Sequence, residues 1–281
     1  MPRLYKLWIA LIYLVGLSSL GVLLWVLGSI IVNGLPVIMK YGLDIFTKNI
    51  PPPMFLFFGK PEVGLAPAII GTLMVVGIAI LISFPIGFTA GILIAEFRHS
   101  RLAKLAEELA STLVEVPTIT AGISIYWLLV IPMHNPSALA GGVALSLIMI
   151  PYIAIYTAET YKRVPMTIKE GGLALGLKYS TVLFKVIRGL VLPGVLSGTL
   201  MALAKGAGEA APLLFTAGWN DKVTLNPFDQ VSTLSVLIYK FGFSSQELWR
   251  ELSWAASFIL VFIIILPLVV ISKMMVRRHE I

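Results

Sequence analysis

The chain contains no cysteine, so disulfides, thiolate nucleophiles and Cys-ligated metal sites are excluded, although the absence does not identify a compartment. Charge is scarce: Asp, Glu, Lys and Arg make up 12% of the residues. The three histidines, His99, His134 and His279, lie far apart and without ligand spacing, so no metal site is indicated. No internal repeat and no low-complexity tract is present. A phosphate-cradling Gly-x-x-x-x-Gly-Lys-Ser/Thr is missing too, since Gly59-Lys60 is followed by Pro61, and without it the chain has no means of hydrolysing ATP. Gly-x-Ser-x-Gly, His-Glu-x-x-His and paired intramembrane aspartates are also lacking, which leaves an intramembrane hydrolase without support.

What the sequence has is apolar length. Apolar residues are 58% of the total, and runs long enough to cross a bilayer recur from end to end. Most of the 281 residues are used by spans and short connections, so residues 1–281 read as one membrane domain, all-α, with no part that builds a separate soluble core. The net charge of +7 does not point to nucleic acid, because the basic residues sit in short segments flanking apolar runs. Six spans are expected, at about 8–32, 65–95, 110–131, 137–158, 190–218 and 252–274. The first is too long for a signal-peptide core and lacks a cleavage site. The third is interrupted by "EVPTIT", and the fourth by "GG" and Pro151, so both are expected to kink. Gly87 and Gly91, and Gly194 and Gly198, have the small-xxx-small spacing of close helix contacts.

Six spans place both termini on one side. That side carries Arg3, Lys6, Arg98, Arg101, Lys104, Lys162, Arg163, Lys169, Lys178, Lys185, Arg188, Lys273, Arg277 and Arg278, fourteen basic residues. The other carries six: Lys40, Lys48, Lys60, Lys222, Lys240 and Arg250. The positive-inside rule makes the termini cytoplasmic in the plasma membrane of a prokaryote. The outer segments at about 33–64, with "IPPPMF", and 219–251 are long enough to shape a docking surface or an outer gate.

The largest inward loop, about 160–188, alternates apolar and basic residues in the manner of short helices at the membrane surface. Its Glu170, Gly171, Gly172 and Gly176 resemble the Glu-Ala-Ala and following Gly of permeases from ATP-binding-cassette importers, with both alanines replaced by glycine. Where that family has Leu-Pro, this sequence reads Arg188-Gly189. The resemblance implies a helix-turn-helix whose coupling helix docks on an ATPase subunit, with Gly176 at the turn. Basic interfacial helices without a partner are the alternative.

Three further blocks resemble the PstA-type permease family of phosphate importers. They are Gly71, Thr72, Pro85, Gly87, Ala95, Glu96 and Phe97 in the second span, "VEVPTITAG" at 114–122, and "GEAAPLLFTA" at 208–217. In the family the last block begins at residue 205, where Lys205 stands in place of the family's Arg, and Ala210 replaces its Thr. The resemblance covers about residues 65–274, with "STLSVLIYK" and "ELSWAA" fitting the outer loop and last helix. It implies a type I ABC importer (MetI-like) permease fold and no cofactor in this chain. It also implies as partners a homologous PstC-type permease, an ATP-binding subunit dimer and an extracytoplasmic phosphate-binding protein.

An ionisable group at the bilayer centre costs at least about 2.5 to 3.5 kcal/mol on insertion scales, so Lys205 and Glu209 must face inward. At a spacing of i and i+4 they share a helix face and can pair. Either they form a structural salt bridge, or Lys205 offers charge to a passing oxyanion that Glu209 holds or gates. The family's Arg-Glu pair at these positions favours the pathway. An ammonium is a point charge without the planar guanidinium fork, which implies different selectivity. Thr118, Thr120, Ser124 and Thr216 are candidate hydrogen-bond donors to the oxyanion, or they bond their own helices. Glu115 is a second inward carboxylate or an interfacial residue.

Overall fold

In hydrocarbon every backbone polar group must find its partner within the protein, which leaves helices as the answer for a chain of long apolar runs. A computed structural model describes residues 2–52 and 62–277, and every regular element in it is helical. Gly59-Lys60, the "PMF" of "IPPPMF", Arg278 and His279 lie outside the described residues. Among the described residues five helices are long and apolar enough to cross a membrane, and a bent pair, counted as one span, makes six.

The first helix, α1 (Pro2–Tyr41), runs beyond both ends of the expected 8–32. Its polar residues do not stop it because they bond within the helix: Ser29 Oγ donates to the Trp25 carbonyl (2.8 Å) and Asn33 Nδ2 to the Ser29 carbonyl (2.8 Å). The short α2 (Asp44–Thr47) leads to α3 (Ala66–Glu96), which matches the expected second span. At 1.5 Å per residue α3 is about 46 Å long, more than the ~30 Å hydrocarbon thickness, so at least one of its ends projects from the hydrocarbon or the helix tilts.

The third span differs from expectation. Instead of one kinked helix at 110–131, α4 (Arg101–Glu115) stops at Val116, which the following Pro117 holds extended. The chain restarts as α5 (Thr118–Ile125), continues through a π-helical stretch (Tyr126–Val130) and ends with α6 (Ile131–Met133). The two halves are bent by 103°. α4 is amphipathic: Ala103 and Ala110 are buried while Leu102, Leu105, Leu109 and Leu113 form an exposed stripe. Ser100 caps it by accepting from the Ala103 N–H (3.1 Å).

At the centre stands α7 (Ala138–Lys162), with 67% of its apolar window buried, more than any other span. α3 lies directly against it. A Cβ on Gly87 would fall 2.8 Å from the Ile150 carbonyl oxygen, and one on Gly91 2.6 Å from that of Ala154. The spacing read from the sequence is therefore a real close contact. Val75, Ala79, Leu145, Met149, Ile153 and Ala202 fill the core around it. The loop after α7 holds α8 (Met166–Ala174), α9 (Tyr179–Thr181) and a π stretch (Val182–Val186) before α10 (Arg188–Gly208).

The fifth span also departs from expectation: it ends at Gly208 rather than 218, since Glu209 is extended (ψ 127°). A short α11 (Leu213–Thr216) follows Pro212. On the side away from α8, α12 (Leu234–Gly242) covers the core and leads into α13 (Glu247–Phe258), a π stretch (Ile259–Ile265) and α14 (Leu266–Arg277). α14 packs on α10, where the Ser197 and Ser272 hydroxyls meet at 2.6 Å.

Candidate substrate pathway and coupling loop

Lys205 and Glu209 do pair, with Nζ donating to Oε1 at 3.1 Å, but not across one continuous helix face. Lys205 sits in the last turn of α10 and Glu209 is the residue that leaves it. The pair lies about 26 Å along the axis from Arg188 at 1.5 Å per residue, near the far end of the span rather than at its middle. A cation in the last turn suits the negative end of the helix dipole, and Lys205 in turn offsets the carboxylate just beyond it. Glu209 is held by its backbone: its N–H donates to the Gly206 carbonyl (3.1 Å) and its carbonyl accepts from Ser235 Oγ (2.9 Å). Lys205 also lies over the ring of Tyr152 on α7, 5.5 Å from its centroid.

The lysine is not sealed in. Its side chain is 37% exposed, against 17% for Glu209, and it lines a hollow of about 160 Å³ together with Tyr152, Thr118, Thr120 and Ser124. Beside the hollow, α5 crosses the turn after α10 closely: a Cβ on Gly122 would lie 2.5 Å from the Cα of Pro212. Of the threonines singled out in the sequence, Thr118 is brought to Lys205 and Thr216 is not. Thr216 is fully buried and donates to the Pro212 carbonyl (2.8 Å). Thr120 donates to Pro117 (2.7 Å) and Ser124 to Thr120 (2.8 Å), so both hydroxyl protons are already used. Thr118, among the described residues, makes no side-chain hydrogen bond and keeps its proton for another acceptor. Glu115 is the last residue of α4 and is exposed.

In the loop, Gly176 has φ +78°, the left-handed conformation that a Cβ disfavours, and it turns the chain between α8 and α9. Glu170 is exposed, Gly171 faces open space, and Gly172 packs against Val182, where a Cβ would come within 2.9 Å. α8 exposes Met166 (60%) and Ile168, and Leu175 just after it is 82% exposed.

The sequence did not single out what lies behind α8. Lys169 Nζ donates to Glu96 Oε1 at 2.6 Å, and the Tyr179 hydroxyl donates to Glu96 Oε2 at 2.5 Å. The Glu96 and Lys169 side chains are 3% and 8% exposed, the most buried ion pair among the described residues. Burial, with the hydrogen bond to Glu96 second, pushes the Tyr179 hydroxyl up to about 12, so it stays a donor at neutral pH. The only available signal was Glu96 itself, an acid at the end of an apolar run.

Long apolar helices around a buried central one, a charged pair on a hollow and a small exposed helix on one side define a membrane permease. The fold agrees: a chain of the MetNI methionine ABC transporter, in an inward-facing form, superposes with a TM-score of 0.59 at 16% identity, over 76% of this chain and 93% of that one. This chain belongs to the family of binding-protein-dependent transport system inner membrane components, whose model matches residues 87–280. It is 41% identical over 236 residues to the probable phosphate transport system permease protein PstA of Methanocaldococcus jannaschii, covering 84% of this chain and 80% of the relative. It is 34% identical over 263 residues to the phosphate transport system permease protein PstA of Haemophilus influenzae, covering 93% and 90%.

Proposed function

We propose that the chain is the PstA-type permease subunit of an ATP-driven inorganic phosphate importer. It forms the pathway with a homologous permease, receives phosphate from an extracytoplasmic binding protein, and is driven by two ATPase subunits docked on the loop around α8. ATP is bound by those subunits and not by this chain. The termini and α8 face the cytoplasm. What supports the substrate most is Lys205: a cation on the wall of an accessible hollow, with the free Thr118 hydroxyl beside it, in a chain whose relatives bear the name of phosphate permeases. A charge-assisted bond from the ammonium and a neutral one from Thr118 are the contacts an oxyanion takes.

Two measurements test the reading. An ATPase subunit should copurify with the chain and be lost when residues 165–185 are replaced by a flexible linker. Uptake of labelled phosphate by the assembled complex should resist competition from molybdate, sulfate and phosphonate. Equal competition by one of these would make the chain a permease for another oxyanion, and failure to retain any ATPase would sink the transport reading.

A further inference from the structure

α8 has nine residues, too few to hold a helix in water on its own, so its place is set by what it packs against. Its buried residues are Gly172, resting on Val182 inside the same loop, and Lys169. Among the described residues, the side-chain hydrogen bond from α8 to a span is that of Lys169: it meets Glu96, the last residue of α3, and the same carboxylate takes the hydroxyl of Tyr179 from α9. The Tyr179 ring also packs edge-on against Phe97 at 6.4 Å. One carboxylate thus gathers both short helices of the loop onto the end of α3.

We propose that Glu96, with Lys169 and Tyr179, is a latch that makes α8, α9 and α3 move as one body. Resting on the permease reading above, the latch delivers a displacement of α8 to α3, and through the Gly87 and Gly91 contacts to α7, which carries Tyr152 beneath Lys205. Glu96 is a positioning residue and touches no substrate. Slippage at this point would leave a buried ammonium and a buried carboxylate each without its partner, which is why the joint is stiff. The other ion pair near this end, Lys162 with Glu107, is exposed at both partners and offers no such resistance.

The test is Glu96→Gln in the assembled complex, with phosphate uptake, ATP hydrolysis and the mobility of a spin label at residue 175 measured together. Gln keeps the volume and removes the charge. Uptake per ATP should fall by about tenfold or more, hydrolysis should stay within about twofold, and the label should become more mobile. The exchange Glu96→Lys with Lys169→Glu should restore coupling, because the new lysine can donate to both the new glutamate and the Tyr179 oxygen. If Glu96→Gln does not assemble, Tyr179→Phe, which removes one oxygen, should lower uptake per ATP in the same sense. Unchanged coupling in an assembled variant, or uptake and hydrolysis falling in proportion, overturns the latch. A wild-type chain that retains no ATPase refutes the functional reading instead. The label still decides for the latch in that case, since unchanged mobility in Glu96→Gln overturns it.

Discussion

Lys205 and Glu209 drew notice in the sequence because two charges in an apolar run have to be explained by position, and Lys169 did not because it was one of many basic residues in a polar loop. The structure reverses part of that weighting: Lys169 is the more deeply buried lysine. Burial is a tertiary fact, and nothing in the local pattern of "MTIKEGG" separates a lysine that returns to the protein from one that faces water. Thr118 and Thr216 show the same limit, since both stand near prolines in apolar stretches and only the fold puts one of them in the hollow. For Lys205 the account makes a graded prediction. Lys205→Arg keeps the charge and adds a fork that can grip two oxygens, so phosphate uptake should stay within about threefold of wild type or rise, at unchanged abundance in the membrane. A loss of about tenfold or more would mean that the hollow requires the compact ammonium.

Helices were legible where apolar runs were continuous, and their ends were not. α1 ran past its expected C-terminal limit, where Asn33 bonds back to Ser29 in its own helix although a hydropathy count scores it as polarity. α10 stopped early because Glu209 turns the chain extended while its neighbours stay apolar. The break at Pro117 was visible, yet its size, 103°, depends on α4 finding a place for Ala103 and Ala110 against the bundle. Close packing of α3 on α7 was legible from Gly87 and Gly91, and it supports a prediction of its own. Gly87→Leu forces a side chain into the Ile150 carbonyl, so the pair must separate. Destabilisation of about 2 kcal/mol or more is expected, read as a lowered melting temperature of the purified complex. A wild-type melting temperature would show that the two helices have room to part.

At the scale of the whole molecule, the distribution of basic residues predicts cytoplasmic termini, and the absence of cysteine makes the sidedness measurable. A single Asn226→Cys, at an exposed position after α11, should react with a membrane-impermeant maleimide from outside the cell, and labelling only from the inside would invert the topology. The route proposed for phosphate depends on whether the pair at the end of α10 serves the pathway or the fold. The most direct measurement is phosphate uptake, alongside membrane abundance, for the double change Lys205→Met with Glu209→Leu. Both charges leave together and similar volume remains, so a pair that only holds the fold can be replaced at little cost. The account predicts an abundant, assembled protein whose uptake is abolished; an abundant protein that still imports phosphate at the wild-type rate would contradict it.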